Sequence, residues 1–204
     1  MMIVVAPSAI ELHLKNWIIF LMSSTLENRV SSGIKGICLI TSAPFPKDMR
    51  IVHTTPMGSP LNESGIRNFL SNSVMNIQLA TIDSNGDPSI QPVWYYYDQS
   101  ADRLYACTDN GSQKVRNISR RDTVYFSVDE DVFPYRCVKG KGRARVSEDS
   151  DWNVPMVEKL MIKYLGSANH RWAKRILDGV KSGQSVVLEI TPKYYSTWDF
   201  SNSE

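Results

Sequence analysis

The chain has 204 residues, 42% of them hydrophobic and 22% charged, with a formal net charge of +2. That gives room for one domain of ordinary size, or one plus an appendage, and argues against wholesale disorder and against a strongly basic nucleic-acid-binding chain. The three cysteines, Cys38, Cys107 and Cys137, are odd in number and form no CxxC pair, which disfavours a disulfide framework or a structural zinc site and fits a reduced, cytoplasmic setting.

Residues 1–58 differ from the rest. Short apolar clusters such as Ile3-Val4-Val5 and Trp17 to Met22 have no sustained period, and Pro44, Pro46 and Pro56 break the chain. The longer cluster is too short for a signal-peptide core or a membrane span. This stretch reads as a poorly ordered N-terminal extension, with Met57 or Met49 as candidate native starts. Beyond it lies an ordered domain over residues 61–200, and the chain after residue 58 has as many acidic as basic residues.

In chain order, Asn62 to Ser71 predicts a helix, with Ile66, Phe69 and Leu70 at helical spacing. Asn76 to Asp83 predicts a strand. Asn85-Gly86 suits a tight hairpin turn, and Pro88 to Tyr97 is the returning strand. Pro92 cannot donate within a sheet and marks an edge or a bulge. Arg103 to Thr108 is a third strand, followed by a helix capped at Ser112. Thr123 to Asp129 and Tyr135 to Ser147 are further strands. Two amphipathic helices follow, one striped by Val157, Leu160, Met161, Tyr164 and Leu165 and stopped by Gly166, the other by Trp172, Ala173, Ile176, Leu177 and Val180. Gln184 to Thr191 is a sixth strand, and Tyr194 to Phe200 an extended tail. Short antiparallel neighbours with a few helices predict a barrel rather than a doubly wound sheet.

Two segments could carry chemistry. At Ser112-Gln113-Lys114 the free amides of a helix's first turn, with a lysine beside them, suit a phosphate; Asn117 and Arg121 share the Lys114 face. An ordinary capped helix with a solvated basic face fits the same residues. In Lys139-Gly140-Lys141-Gly142-Arg143-Ala144-Arg145 the four cations alternate with small residues and so share one face of a strand. The small residues leave space for another backbone or a flat ligand. The cations could gather a multiply charged anion or simply face solvent. No GxSxG, HExxH or Walker pattern occurs, and no metal site or catalytic acid or base is singled out.

Together these pieces resemble the pyridoxamine-phosphate-oxidase-like superfamily over about residues 64–200. The carriers are Ile66 to Leu70, Leu79 to Asp83 with Asn85-Gly86-Asp87-Pro88, Gln91-Pro92-Val93-Trp94, Gly111 to Ile118, Pro134-Tyr135-Arg136 and Gly140 to Ala144. The resemblance implies a mainly β fold with flanking helices, a six-stranded antiparallel split β-barrel, acting as a homodimer with its cofactor at the interface. It places the cofactor phosphate at Thr108, Ser112, Gln113 and Lys114, with Asn117 on the same helix. Gln91, Pro92, Val93 and Trp94 would lie along the ring system with Cys107 near it.

Pyridoxamine phosphate oxidases carry arginines at the positions of Gln91 and Gln113, a lysine near Tyr96, and an arginine-containing signature near the C-terminus. Their absence here argues against vitamin-B6 oxidation. The Pro-Val-Trp strand and the Thr197-Trp198-Asp199-Phe200 ending are more similar to the branch that binds the deazaflavin coenzyme F420, whose polyglutamate tail would suit Lys141 and its neighbours; FMN is the close alternative. The expected activity is hydride transfer between the cofactor and a small unsaturated or quinone-like substrate, with no nucleic-acid or membrane partner. The alternative is an FMN- or haem-binding carrier on the same fold without turnover.

Overall fold

The computed structural model describes residues 49–52 and 58–201. Helix α1 spans Glu63–Asn72, with Asn62 as its N-cap accepting from the Gly65 amide. Then come β1 (Ile77–Ile82), β2 (Pro88–Val93), β3 (Tyr96–Asp98) and β4 (Arg103–Asp109). Helix α2 (Gln113–Arg120) leads to β5 (Thr123–Asp129) and β6 (Arg136–Ser147). Helices α3 (Ser150–Leu165) and α4 (Arg171–Lys181) precede β7 (Ser185–Asp199). The strands form one antiparallel sheet in the order β2-β1-β5-β6-β7-β4-β3, curled as a split barrel.

Period-two patterning drives the curl. Ile77, Leu79 and Thr81 of β1, and Val124, Phe126 and Val128 of β5, are buried on the concave face. There they meet Ile66, Phe69 and Leu70 from α1, which closes the barrel interior. Strands β4 and β7 are buried on both faces. Their other side, with Tyr105 and Val187, packs against Val157, Leu160, Met161, Ala173, Leu177 and Val180 of α3 and α4. Each such large apolar side chain stabilises the fold by roughly 1.5–3 kcal/mol on burial.

Three features differ from the sequence expectation. The returning strand expected at Pro88 to Tyr97 is two strands, which makes seven. Trp94 leaves the sheet to stack on Tyr164, and the Tyr95 amide donates to the Tyr164 hydroxyl (3.2 Å) instead of a neighbouring strand. The extended tail is continuous with the sixth strand as β7, because β6 pairs with it along nearly its whole length; a register irregularity between Lys141 and Gly142 absorbs Lys193. Trp172 stands 49% exposed at the start of α4 instead of joining the apolar stripe, and His170 caps that helix by accepting from the Trp172 amide (3.2 Å).

The extension expected at 1–58 lies mostly outside the described residues, as do Cys38, His13 and His53. Of its described part, Met49 is buried against the barrel. The Val52 amide donates to the Tyr195 carbonyl (2.7 Å), and the Tyr195 amide to that of Arg50 (2.8 Å). Among the described residues no helix is long and apolar enough to cross a membrane.

Candidate functional site

Strand β4 delivers the chain to α2 through a tight turn. The Asp109 carboxylate accepts from the Gly111 amide (3.1 Å), and the Asp109 carbonyl from the Ser112 amide (3.1 Å). Ser112 holds the N-cap position of α2 with extended backbone, yet its side chain makes no capping bond. Its hydroxyl accepts instead from that of Thr108 (3.4 Å), and the Lys114 amine donates to the Thr108 hydroxyl (3.1 Å). Thr108, Ser112 and Lys114 therefore converge at an amino-terminal first turn that holds no acidic residue and no side-chain cap.

Burial holds the Lys114 ammonium below its ordinary pKa, partly offset by Asp109. An anion placed here would meet hydroxyl and ammonium donors, uncapped amides and a positive helix end. It would also relieve the cost of burying the lysine's charge. The donor set fits a phosphate.

A second set of polar groups runs inward from the same helix. The Gln113 amide nitrogen donates to the Asn117 side-chain oxygen (2.8 Å), and Asn117 donates to the Thr81 hydroxyl (2.9 Å). Thr81 donates to the Ser89 carbonyl (3.4 Å), and the Gln91 amide nitrogen reaches the Ser89 hydroxyl (3.2 Å). The fold thus brings Gln113, Asn117 and Gln91 onto one hydrogen-bonded path between α2 and β2. Asn117 is fully buried, on the core side with Val115 and Ile118 and not on an exposed face with Lys114. Its carboxamide is consumed within the protein. The Gln113 carboxamide is also engaged at both ends, since its oxygen accepts from Arg116 (2.7 Å). The Gln91 side-chain oxygen is buried with no partner among the described residues.

Pro92 lies exposed on β2, which ends the sheet, so a proline costs no ladder bond there. Val93 packs against the barrel interior. Trp94 stacks on Tyr164, with ring centroids 4.8 Å apart. Cys107 follows Ala106 on β4 and points to the helix side, away from Thr108. Burial pushes its thiol up to about 12, so it packs as a neutral group.

Lys141 does not join Lys114. It sits opposite Tyr194, eight residues along β7 from Val186, which faces Thr108. Its ammonium lies 5.2 Å above the Tyr125 ring.

The cation row of β6 faces outward, as its alternation predicts, but is largely engaged. Arg143 pairs with Asp122 (3.0 Å), and Lys139 lies 4.7 Å over the Trp198 ring. Arg145 pairs with Glu189, whose other oxygen takes Arg103. Glu189, only 2% exposed, had no signal in the sequence beyond being an acid inside an apolar strand. Opposite the cations, Gly140 and Gly142 make room for the backbone of β7, not for a ligand. Lys163, also missed, lies among Tyr95, Tyr164 and the Leu70 carbonyl. Its sequence signal is a cation next to the apolar stripe of α3.

Residues 66–199 match the family model described as pyridoxamine 5'-phosphate oxidase. Among solved structures, a conserved hypothetical protein from Mycobacterium tuberculosis is 24% identical, over 69% of this chain and 86% of that one, with a TM-score of 0.60. A protein described as a candidate pyridoxamine 5'-phosphate oxidase from Listeria innocua is 16% identical, over 66% and 96%, with a TM-score of 0.52. A haem storage protein from Vibrio cholerae is 18% identical, over 64% and 89%, with a TM-score of 0.50. At these identities the likeness is one of fold. No curated protein matches the sequence.

Proposed function

Because the chain belongs to the pyridoxamine 5'-phosphate oxidase family, we propose that it is a redox enzyme that holds a flavin-type cofactor and passes hydride between it and a small unsaturated or quinone-like substrate. The observation that carries this reading is the convergence of Thr108, Ser112 and Lys114 at the uncapped start of α2. Between the two cofactors, the Pro92-Val93-Trp94 strand and the Thr197-Trp198-Asp199-Phe200 ending favour the deazaflavin F420 over FMN.

When bound, the cofactor supplies the hydride chemistry. The protein's part is binding and orientation. Lys114 and the Thr108 and Ser112 hydroxyls would hold the phosphate. Trp94, pinned by Tyr164, fixes the end of the strand along which the ring would lie. Cys107, neutral and turned away, contributes packing and no nucleophile.

The proposal includes a second copy of the chain and a cytoplasmic setting. The convex face of β2, β1 and β5 leaves Ile90 64% and Tyr125 42% exposed beside a groove of about 410 Å³. Apolar side chains exposed together on a sheet face mark an interaction surface. Light scattering should give twice the chain mass, and Ile90→Asp should yield monomer.

Titration with FMN and with F420, followed by fluorescence, tests the cofactor reading. Failure to bind either below about 100 μM, roughly 5.5 kcal/mol, would sink it. A cofactor that binds but is never reduced or reoxidised by any acceptor would instead indicate a carrier.

A further inference from the structure

Four side chains carry one run of hydrogen bonds from the surface of α2 into the barrel interior. The Arg116 guanidinium donates to the Gln113 side-chain oxygen (2.7 Å), and the Gln113 nitrogen to the Asn117 oxygen (2.8 Å). The Asn117 nitrogen donates to the Thr81 hydroxyl (2.9 Å), and that hydroxyl to the Ser89 carbonyl (3.4 Å). Every bond points the same way, and the two ends require it. A guanidinium can only donate and a backbone carbonyl can only accept, so both carboxamides between them have a single consistent orientation. Asn117 and Thr81 are fully buried. In such surroundings bonds in series strengthen one another, and a fully satisfied polar run selects one geometry.

The outer end of the run holds the turn before α2. Arg116 also donates to the Gly111 carbonyl, one residue before Ser112, while the Gly111 amide is held by the Asp109 carboxylate (3.1 Å). Ser112 has no capping bond of its own to fix it. Val115 and Ile118 bury the helix against the core, but apolar contact is non-directional. The directional tie from α2 to β1 is Asn117 to Thr81. A carboxamide inside the barrel costs desolvation that an apolar side chain would not. Here that cost is offset by a fixed position for the turn.

We propose that Gln113 and Asn117 are positioning residues, which touch no part of the ligand and hold the start of α2 so that the Ser112 hydroxyl and the Lys114 ammonium converge on one anion. This role rests on the phosphate reading of Thr108, Ser112 and Lys114 above. It takes Gln113 out of the set of phosphate ligands. Donors already held in place lose less freedom when the anion arrives, which is how a residue outside the contact raises affinity.

On the full chain, FMN is compared with riboflavin, which lacks the phosphate; if the chain takes the deazaflavin instead, F420 is compared with the same deazaflavin without its phosphate. Thr81→Val, Asn117→Ala and Gln113→Ala should each weaken the phosphorylated member about five-fold, as expected of one hydrogen bond, and leave the other member unchanged. Because Asn117 acts through Gln113, the double variant Gln113→Ala/Asn117→Ala should bind no more weakly than Gln113→Ala alone. Thr81→Val keeps the side chain's shape and Gln113 is only half-buried, so the outcome does not depend on the Asn117 variant folding. A lower Tm with an unchanged ratio of the two affinities would make the run a piece of core packing and overturn the proposal, with the phosphate reading intact. Additive losses in the double variant would make Gln113 a direct ligand and overturn it as well. A wild type that binds both members equally, or neither, removes the phosphate reading and the positioning role with it.

Discussion

The Trp94 indole lies flat on the Tyr164 ring, with centroids 4.8 Å apart and planes 7° from parallel. The same tyrosine hydroxyl accepts from the Tyr95 amide (3.2 Å) and donates to the Met75 carbonyl (2.9 Å). One side chain of α3 therefore holds the break between β2 and β3 and fixes the end of the strand that carries Gln91.

Replacing Tyr164 separates those contributions. Tyr164→Phe keeps the stack but leaves the Tyr95 amide and the Met75 carbonyl without their partner, a loss of about 1–3 kcal/mol. Tyr164→Leu also removes the stacked pair, worth about 0.5–1.5 kcal/mol more. Denaturant midpoints at unchanged m-value should fall in that order. A Phe variant as stable as the wild type would show that the hydroxyl carries nothing.

Gly140 predicts a different kind of failure. A Cβ there would sit 2.5 Å from the Tyr194 carbonyl oxygen and 2.7 Å from the Phe126 ring. Neither neighbour is a free chain end, since one is the backbone of β7 and the other a buried core ring. Gly140→Ala should cost about 2–3 kcal/mol by overpacking, seen as a fall in Tm of roughly 5–10 °C for a domain of this size. Lys139→Ala, one residue away on the outer face, should cost less than about 1 kcal/mol.

The parts of the fold legible in the sequence are those whose causes are local. The Gly86 turn and the Gly166 helix stop each depend on residues within a few positions. The parts that were not legible depend on distant partners. The break at Trp94-Tyr95 needs Tyr164, and the burial of Asn117 needs Thr81. The quenching of the basic strand needs Asp122 and Glu189. The closeness of Ser112 and Lys114 at the start of α2 was legible because a turn, a helix start and a lysine lie together in the sequence. What could not be read is that Ser112 turns from capping to Thr108, and that Gln113 is spent on its neighbours.

Lys114 should be read out through the phosphate it is expected to hold. Lys114→Ala should weaken FMN by roughly ten- to a hundred-fold, the 1.5–3 kcal/mol of a charged hydrogen bond, and leave riboflavin, which lacks the phosphate, unaffected. Burial lowers the lysine's pKa in the free protein, and a bound anion raises it. FMN affinity should therefore fall as pH rises through the depressed value, with proton uptake on binding visible by calorimetry. Equal losses for FMN and riboflavin would place the phosphate elsewhere.

Lys163 offers a pH test of the packing around Tyr95 and Tyr164. Its ammonium lies 3.6 Å from the centroid of the Tyr95 ring and donates to the Leu70 carbonyl (3.2 Å). The ring face favours the cation, but burial prevails and pulls its pKa down to about 7. An unfolded lysine titrates near 10.4, so between about 7 and 10.4 the unfolded chain holds the extra proton. Stability should accordingly rise with pH across that window, by at most about 1.4 kcal/mol per pH unit, with the full penalty present below it. Burial also pushes Cys107 and Cys137 up to about 12. Those thiols act in the opposite sense once the unfolded cysteines ionise above about 8.5. The comparison therefore belongs between about pH 6 and pH 8.5, wild type against Lys163→Met, where the cysteine contribution is small and common to both. Wild type should gain on the variant as pH rises. A difference that stays flat would mean that Lys163 keeps its ordinary charge, and that the Tyr95 ring and the Leu70 carbonyl offset its burial completely.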